Sequence, residues 1–188
     1  MALHITGDPE ADALLDQSPF ALLVGMLLDQ QITMEAAFAG PAKLRDRLGS
    51  LDPAGVAGLD PDRLIEVMKQ PPAVHRFPGS MAGRVQALAA AIVADWGADT
   101  AAIWTRDDPD GAEVLRRLKG LPGFGEQKAK IFLALLGKQR GLGAPGWREA
   151  AGDYGADGYR SVADIVDAES LTRVREHKRA MKAAAKKG

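Results

Sequence analysis

The stretch Leu118-Lys-Gly-Leu-Pro-Gly-Phe-Gly-Glu-Gln-Lys-Ala-Lys130 constrains the fold of this chain more than any other segment. Pro122 presets one backbone angle, Gly123 and Gly125 open conformations closed to other residues, and apolar Phe124 sits between them. Apolar residues at Ala129, Ile131, Phe132, Leu133 and Leu136 then predict a helix beginning near Glu126. The segment reads as a tight hairpin opening directly into a helix. Free N–H groups at such a helix start form a donor site for an anion, because glycine leaves no side chain in the way. Residues 116–140 hold seven Lys/Arg against one acid, Glu126. A backbone anion site inside a basic segment points to nucleic-acid phosphate. The glycines alone would equally suit an ordinary junction between two closely packed helices.

The rest of the chain has helical spacing and no alternating strand-like runs, which predicts an all-α fold. Helices are expected over 8–17, from Ser18-Pro19 to Leu28, from Met34 to Gly49, and from Asp60-Pro61 to a break at Pro71-Pro72. Further helices are expected from Met81 to Trp96 and over 109–118, the last feeding the hairpin. Proline just inside a helix start recurs along the chain. Six glycines and Pro145 between residues 141 and 158 exclude a helix interior there. Ser161-Val-Ala-Asp164 is a capping-type start to a short helix, and a final helix spans 168–184. Seven Lys/Arg lie between Arg173 and Lys187 against Glu176, which suits either a frayed, solvated tail or an auxiliary phosphate clamp.

At 188 residues the chain is long enough to bury a sizeable core as one domain or two small lobes. It has no cysteine, so it supplies no thiolate for an iron–sulfur cluster or a disulfide. Three scattered histidines, His4, His75 and His177, argue against a zinc site. No apolar run is long enough to span a membrane and the start lacks a signal-peptide layout, so a cytoplasmic, nucleoid-associated protein is expected. The net charge of −1 hides an asymmetry: −6 over residues 1–100 and +5 over 101–188. A basic half on a near-neutral protein can present a DNA-binding face.

Leu-Pro-Gly-Phe-Gly followed by a helix resembles the helix-hairpin-helix of the endonuclease III/3-methyladenine glycosylase II superfamily of base-excision DNA repair proteins. The likeness extends over roughly residues 18–137. It implies a two-lobed helical fold with the hairpin at the interlobe cleft: one lobe over 18–138, the other from 1–17 with 139–188. Gly123 and Gly125, with the N–H groups of Gly125 and Gln127, would then hold a DNA phosphate, with Phe124, Lys128 and Lys130 alongside. Carbonyls of Lys119, Leu121 and Phe124 would bind a monovalent cation, Na+ or K+. Ser18 to Thr33 is similar to the family helix that ends in a glutamine turn, so Gln31, with Gln30 beside it, would fill the gap left by an extruded base. His75-Arg-Phe-Pro-Gly-Ser80 resembles the family's wedge loop, with Phe77 as the wedge.

Two departures bear on the chemistry. Bifunctional members carry a lysine nucleophile two residues after the second hairpin glycine; here Gln127 stands there, and an amide forms no Schiff base. Lys128, one residue along, turns by about 100° onto another helix face, towards solvent or DNA. The family's aspartate, some twenty residues on, is replaced by Pro145 or Gly146. The remaining acids for that role are Glu149, Asp153 and Asp29. Trp147 offers an aromatic face for an extruded base, although a tryptophan also serves as core. The resemblance thus implies a monomeric protein acting on duplex DNA with a damaged base, alkylated bases fitting best, as an N-glycosylase without lyase activity and with no iron–sulfur cluster. The alternatives are a non-catalytic lesion sensor of the same fold, or a helical interaction scaffold.

Overall fold

The computed structural model describes residues 2–188. Eleven α-helices follow one another along them: α1 Pro9–Gln17, α2 Pro19–Leu28, α3 Met34–Leu48, α4 Pro53–Ala57, α5 Pro61–Lys69, α6 Pro78–Trp96, α7 Ala102–Thr105, α8 Gly111–Lys119, α9 Glu126–Gln139, α10 Trp147–Ala150 and α11 Ala168–Lys186. There is no strand among the described residues, and two 3-10 turns, Gly152–Gly155 and Val162–Asp164, separate α10 from α11. Helix starts are fixed locally. The side chains of Asp8, Ser18, Asp52 and Asp60 each accept a backbone N–H, and proline follows each of them.

The Ser18-Pro19 start leads into α2, whose nine residues Phe20 to Leu28 are all buried, making it the central helix. A Cβ at Gly25 would lie 2.5 Å from the Phe38 ring, so the glycine lets α3 cross α2 closely. The α8–α9 hairpin packs Phe132, Leu133 and Leu136 into the same buried cluster. That cluster also takes Leu3 and Leu15 from the N-terminus and Val162 and Val174 from the C-terminal part. An Asp16–Arg140 ion pair at 2.7 Å ties the end of α1 to the end of α9. No single described helix is long and apolar enough to cross a membrane.

Some boundaries differ from expectation. Helix α6 begins at Pro78, three residues before Met81, because proline can open a helix without a side-chain cap. Helix α8 begins at Gly111, two residues after the expected start at 109, because the Asp110 side chain accepts the Glu113 N–H as its N-cap. Ser161–Asp164 forms the expected capping box, but around a 3-10 turn. The short helices α4, α7 and α10 were not foreseen; four or five residues show no helical period.

A candidate nucleic-acid interface

The C-terminal end of α2 points at a cleft of about 1040 Å³. The turn Asp29 to Glu35, Gln127, Ile131, Tyr154 and residues of α11 line it. Six cations, Arg76, Arg160, Arg175, Lys178, Arg179 and Lys182, line it against two acids, Asp29 and Glu35. Both acids face cations on α11: Asp29 lies 3.7 Å from Lys178, and Glu35 pairs with Arg175. The basic helix is therefore a wall of the cleft over its middle turns, where Val174 is buried and His177 and Lys178 are half-buried. Its last residues, from Arg179 on, are exposed.

The hairpin borders the same region. Gly123 has φ +83, and a Cβ there would lie 2.4 Å from Leu27 Cδ1, so glycine is required twice over. Gly125 differs: at φ −77 it has ordinary extended backbone, and a Cβ there would meet nothing within 4 Å. Its value is open space at the N-terminus of α9, which has no side-chain cap, leaving the first N–H groups free for an anion. Phe124 is buried and packs edge-on against Phe132 at 6.3 Å, so its side chain holds the hairpin to the core and does not reach outward. Lys130 is half-buried and pairs with Glu126 at 3.3 Å. The Leu121 carbonyl already accepts the Phe124 N–H at 3.1 Å and keeps a second lone pair for a cation.

Lys128 does not point to solvent. Its ammonium donates to the carbonyls of Met26, Leu27 and Asp29 at 2.8, 2.9 and 3.2 Å, capping the C-terminus of α2. Burial pushes this amine down to about 8, against the attraction of Asp29.

The two glutamines of the turn separate into different roles. Gln30 is fully engaged: Arg84 donates to its Oε1 at 3.1 Å, and its Nε2 donates to the Leu27 carbonyl at 3.0 Å. Gln31 is exposed, with φ +60, a strained conformation for a residue with a side chain. Phe77, 43 % exposed, stands across a small pocket from it.

The acids separate as well. Asp29 lines the cleft, whereas Glu149 and Asp153 are exposed and stand outside its lining. Trp147 is also elsewhere: its ring lies on Gly137, where a Cβ would come within 2.4 Å, and its backbone crowds Gly111. It fills the junction of α8, α9 and α10, so it is not positioned to stack an extruded base. Tyr154, not singled out in the sequence, accepts a hydrogen bond from Gln127 Nε2 at 3.0 Å. Glu35, Arg175 and Lys178 were equally invisible as cleft residues, since nothing in their local spacing marks a tertiary contact. A tyrosine inside a glycine-rich stretch gives no periodic signal either.

No curated protein and no solved structure gives a significant match to the chain. A family profile does: HhH-GPD superfamily base excision DNA repair protein, matching residues 24–187. Those residues contain the glutamine turn, the loop from His75 to Ser80, the hairpin and the basic helix. The chain belongs to the HhH-GPD superfamily of base excision DNA repair proteins.

Proposed function

We propose that the protein is a monofunctional DNA N-glycosylase that extrudes a modified base from duplex DNA into the cleft beneath α11. The observation that carries this reading is the strained, exposed Gln31 turn, which lines the basic cleft together with Gln127 of the α9 N-terminus and also lines a small pocket with exposed Phe77. The N–H groups of Gly125 and Gln127 would take a backbone phosphate, and Arg179 and Lys182 a second one across the cleft. Gln31 would enter the stack and hydrogen-bond the orphaned base, with Phe77 wedging the adjacent step. The hairpin carbonyls of Lys119, Leu121 and Phe124 would suit Na+ or K+, which would add positive charge beside the phosphate.

Asp29 is the acid best supported for the chemistry. It lies in the cleft with the Gln31 turn and Gln127, and its carboxylate would stabilise positive charge developing on the sugar as the base departs. A phosphate taking up Lys178 would release that carboxylate from its ion partner. Gln127 forms no covalent intermediate, so the product would be an abasic site without strand cleavage. Alkylated bases need the least from such a catalyst, because their glycosidic bonds are already weakened.

The test is a glycosylase assay on duplexes with single damaged bases, followed by hot alkali. The expected result is alkali-dependent cleavage on at least one lesion, lost in Asp29→Asn and retained in Glu149→Gln. A second reading, a lesion sensor without catalysis, draws on the replacement of the family aspartate by Pro145 or Gly146 and the exposure of Glu149 and Asp153. Damage-selective binding with no cleavage of any lesion would favour it.

A further inference from the structure

His75 is 4 % exposed and makes a hydrogen bond on each side of its ring. The Phe77 backbone N–H donates to Nδ1 at 3.0 Å, so Nδ1 is the unprotonated nitrogen. The proton is therefore on Nε2, which donates to the Gln30 carbonyl at 2.9 Å. One neutral imidazole thus bridges the turn that carries Gln31 and the loop that carries Phe77, elements 45 residues apart in sequence at the His75–Gln30 contact. Arg84 adds a second tie to the turn through Gln30 Oε1. What lies between Gln31 and Phe77 is a pocket of about 170 Å³ with His75 in its lining.

Arg84 and Lys128 hold the turn one and two residues before Gln31, and the Arg76 guanidinium lies over the Phe77 ring at 5.3 Å, but none of these joins one loop tip to the other. Gln31 sits at φ +60, a conformation that persists only where its surroundings impose it. Phe77 is the N-cap of α6 and has no side-chain cap there. The imidazole is a rigid connection between the two, with one hydrogen bond to each loop.

We propose that His75 is a positioning residue that couples the two insertion loops, so that Gln31 and Phe77 enter the DNA stack together as one unit. The inference rests on the insertion reading given under Proposed function. It makes the spacing of plug and wedge a property of one side chain, not of two independent loops.

The two halves of the bridge can be separated. His75→Asn keeps an acceptor at the δ position for the Phe77 N–H but loses the donor to Gln30. His75→Gln keeps a donor at the ε position for Gln30 but loses the acceptor. His75→Phe keeps ring volume and neither bond.

The probe is a duplex holding a tetrahydrofuran abasic analogue. 2-Aminopurine is placed opposite it to report on Gln31, or in the neighbouring step to report on Phe77. Gln31→Ala and Phe77→Ala calibrate the two signals, and thermal melting checks the fold of each variant. The expected result is that Asn retains the neighbouring-step response and weakens the opposite-base response about fivefold, the factor for one lost hydrogen bond. Gln should give the reverse, and Phe should weaken both. Full responses in His75→Phe would overturn the inference, as would equal losses in Asn and Gln that follow lowered melting temperatures. If the wild-type protein binds the duplex without changing either signal, the insertion reading itself fails and this inference falls with it.

Discussion

The ammonium of Lys128, on the first turn of the hairpin helix, donates to the backbone carbonyl of Asp29 at the end of the central helix, 3.2 Å away. The same group reaches the carbonyls of Met26 and Leu27. A helix C-terminus carries partial negative charge and unpaired carbonyls, which a cation satisfies on both counts. Through this contact the N-terminal end of α9 and the turn bearing Gln31 are held in register.

Replacing Lys128 by Met should lower stability by about 2 kcal/mol, because buried charge-assisted hydrogen bonds are lost and carbonyls are left less well satisfied. Chemical denaturation of the two proteins checks the value. DNA affinity should fall more than stability accounts for, since the Gln31 turn loses its support.

The pH dependence of that pair has a definite sign. Burial holds the Lys128 amine at about 8, below the ordinary lysine value of 10.5. Between those two values the unfolded chain binds more protons than the folded one, so stability rises with pH across that window. The difference in unfolding free energy between wild type and Lys128→Met should therefore grow from pH 8 to pH 10 and stay flat from pH 6 to pH 7. A flat difference throughout would mean an unshifted amine.

The two hairpin glycines should respond in opposite ways. Gly123→Ala meets Leu27 Cδ1 and keeps φ +83, which should cost about 1–2 kcal/mol in a melting experiment. Gly125→Asp has room and sits at a helix N-cap, where a carboxylate is favourable, so stability should hold or rise by about 0.3 kcal/mol. Its negative charge lies where a phosphate is proposed to bind, so duplex affinity should drop at least about tenfold.

Arg179 and Lys182 line the cleft from exposed positions on α11. The double substitution Arg179→Ala/Lys182→Ala should leave the melting temperature within error. It should reduce the slope of log affinity against log salt by about 1–2, the value for one or two lost phosphate contacts. An unchanged slope would return the end of this helix to a solvated tail.

Trp147→Ala should be a stability variant. The ring covers Gly137 between α9 and α10, and removing it opens a void worth about 2–4 kcal/mol. Damage selectivity, measured as the affinity ratio of lesion to intact duplex, should be unchanged.

Legibility in the sequence followed the range of the interaction. Asp8-Pro9, Ser18-Pro19 and Asp60-Pro61 begin helices through contacts two or three residues long, so they could be read directly. The Leu-Pro-Gly-Phe-Gly hairpin and the Gln30-Gln31 turn were legible for the same reason. Local spacing does not separate Gln30 from Gln31; only the family resemblance matched Gln31, and the contact that engages Gln30 comes from Arg84, 54 positions away.

The sequence by itself determined an all-helical chain, a basic second half, a glycine hairpin leading into a helix, and an amide where a lysine nucleophile would stand. Each depends on propensity, composition or hydrogen bonds within a few residues. Only the tertiary structure decided that Asp29 faces the cleft while Glu149 and Asp153 do not, that Lys128 caps a helix about a hundred residues earlier, and that the basic helix is a cleft wall. Those outcomes depend on how helices pack around Phe38, Phe132 and Leu27, and side-chain direction across a packed interface carries no local periodic signal.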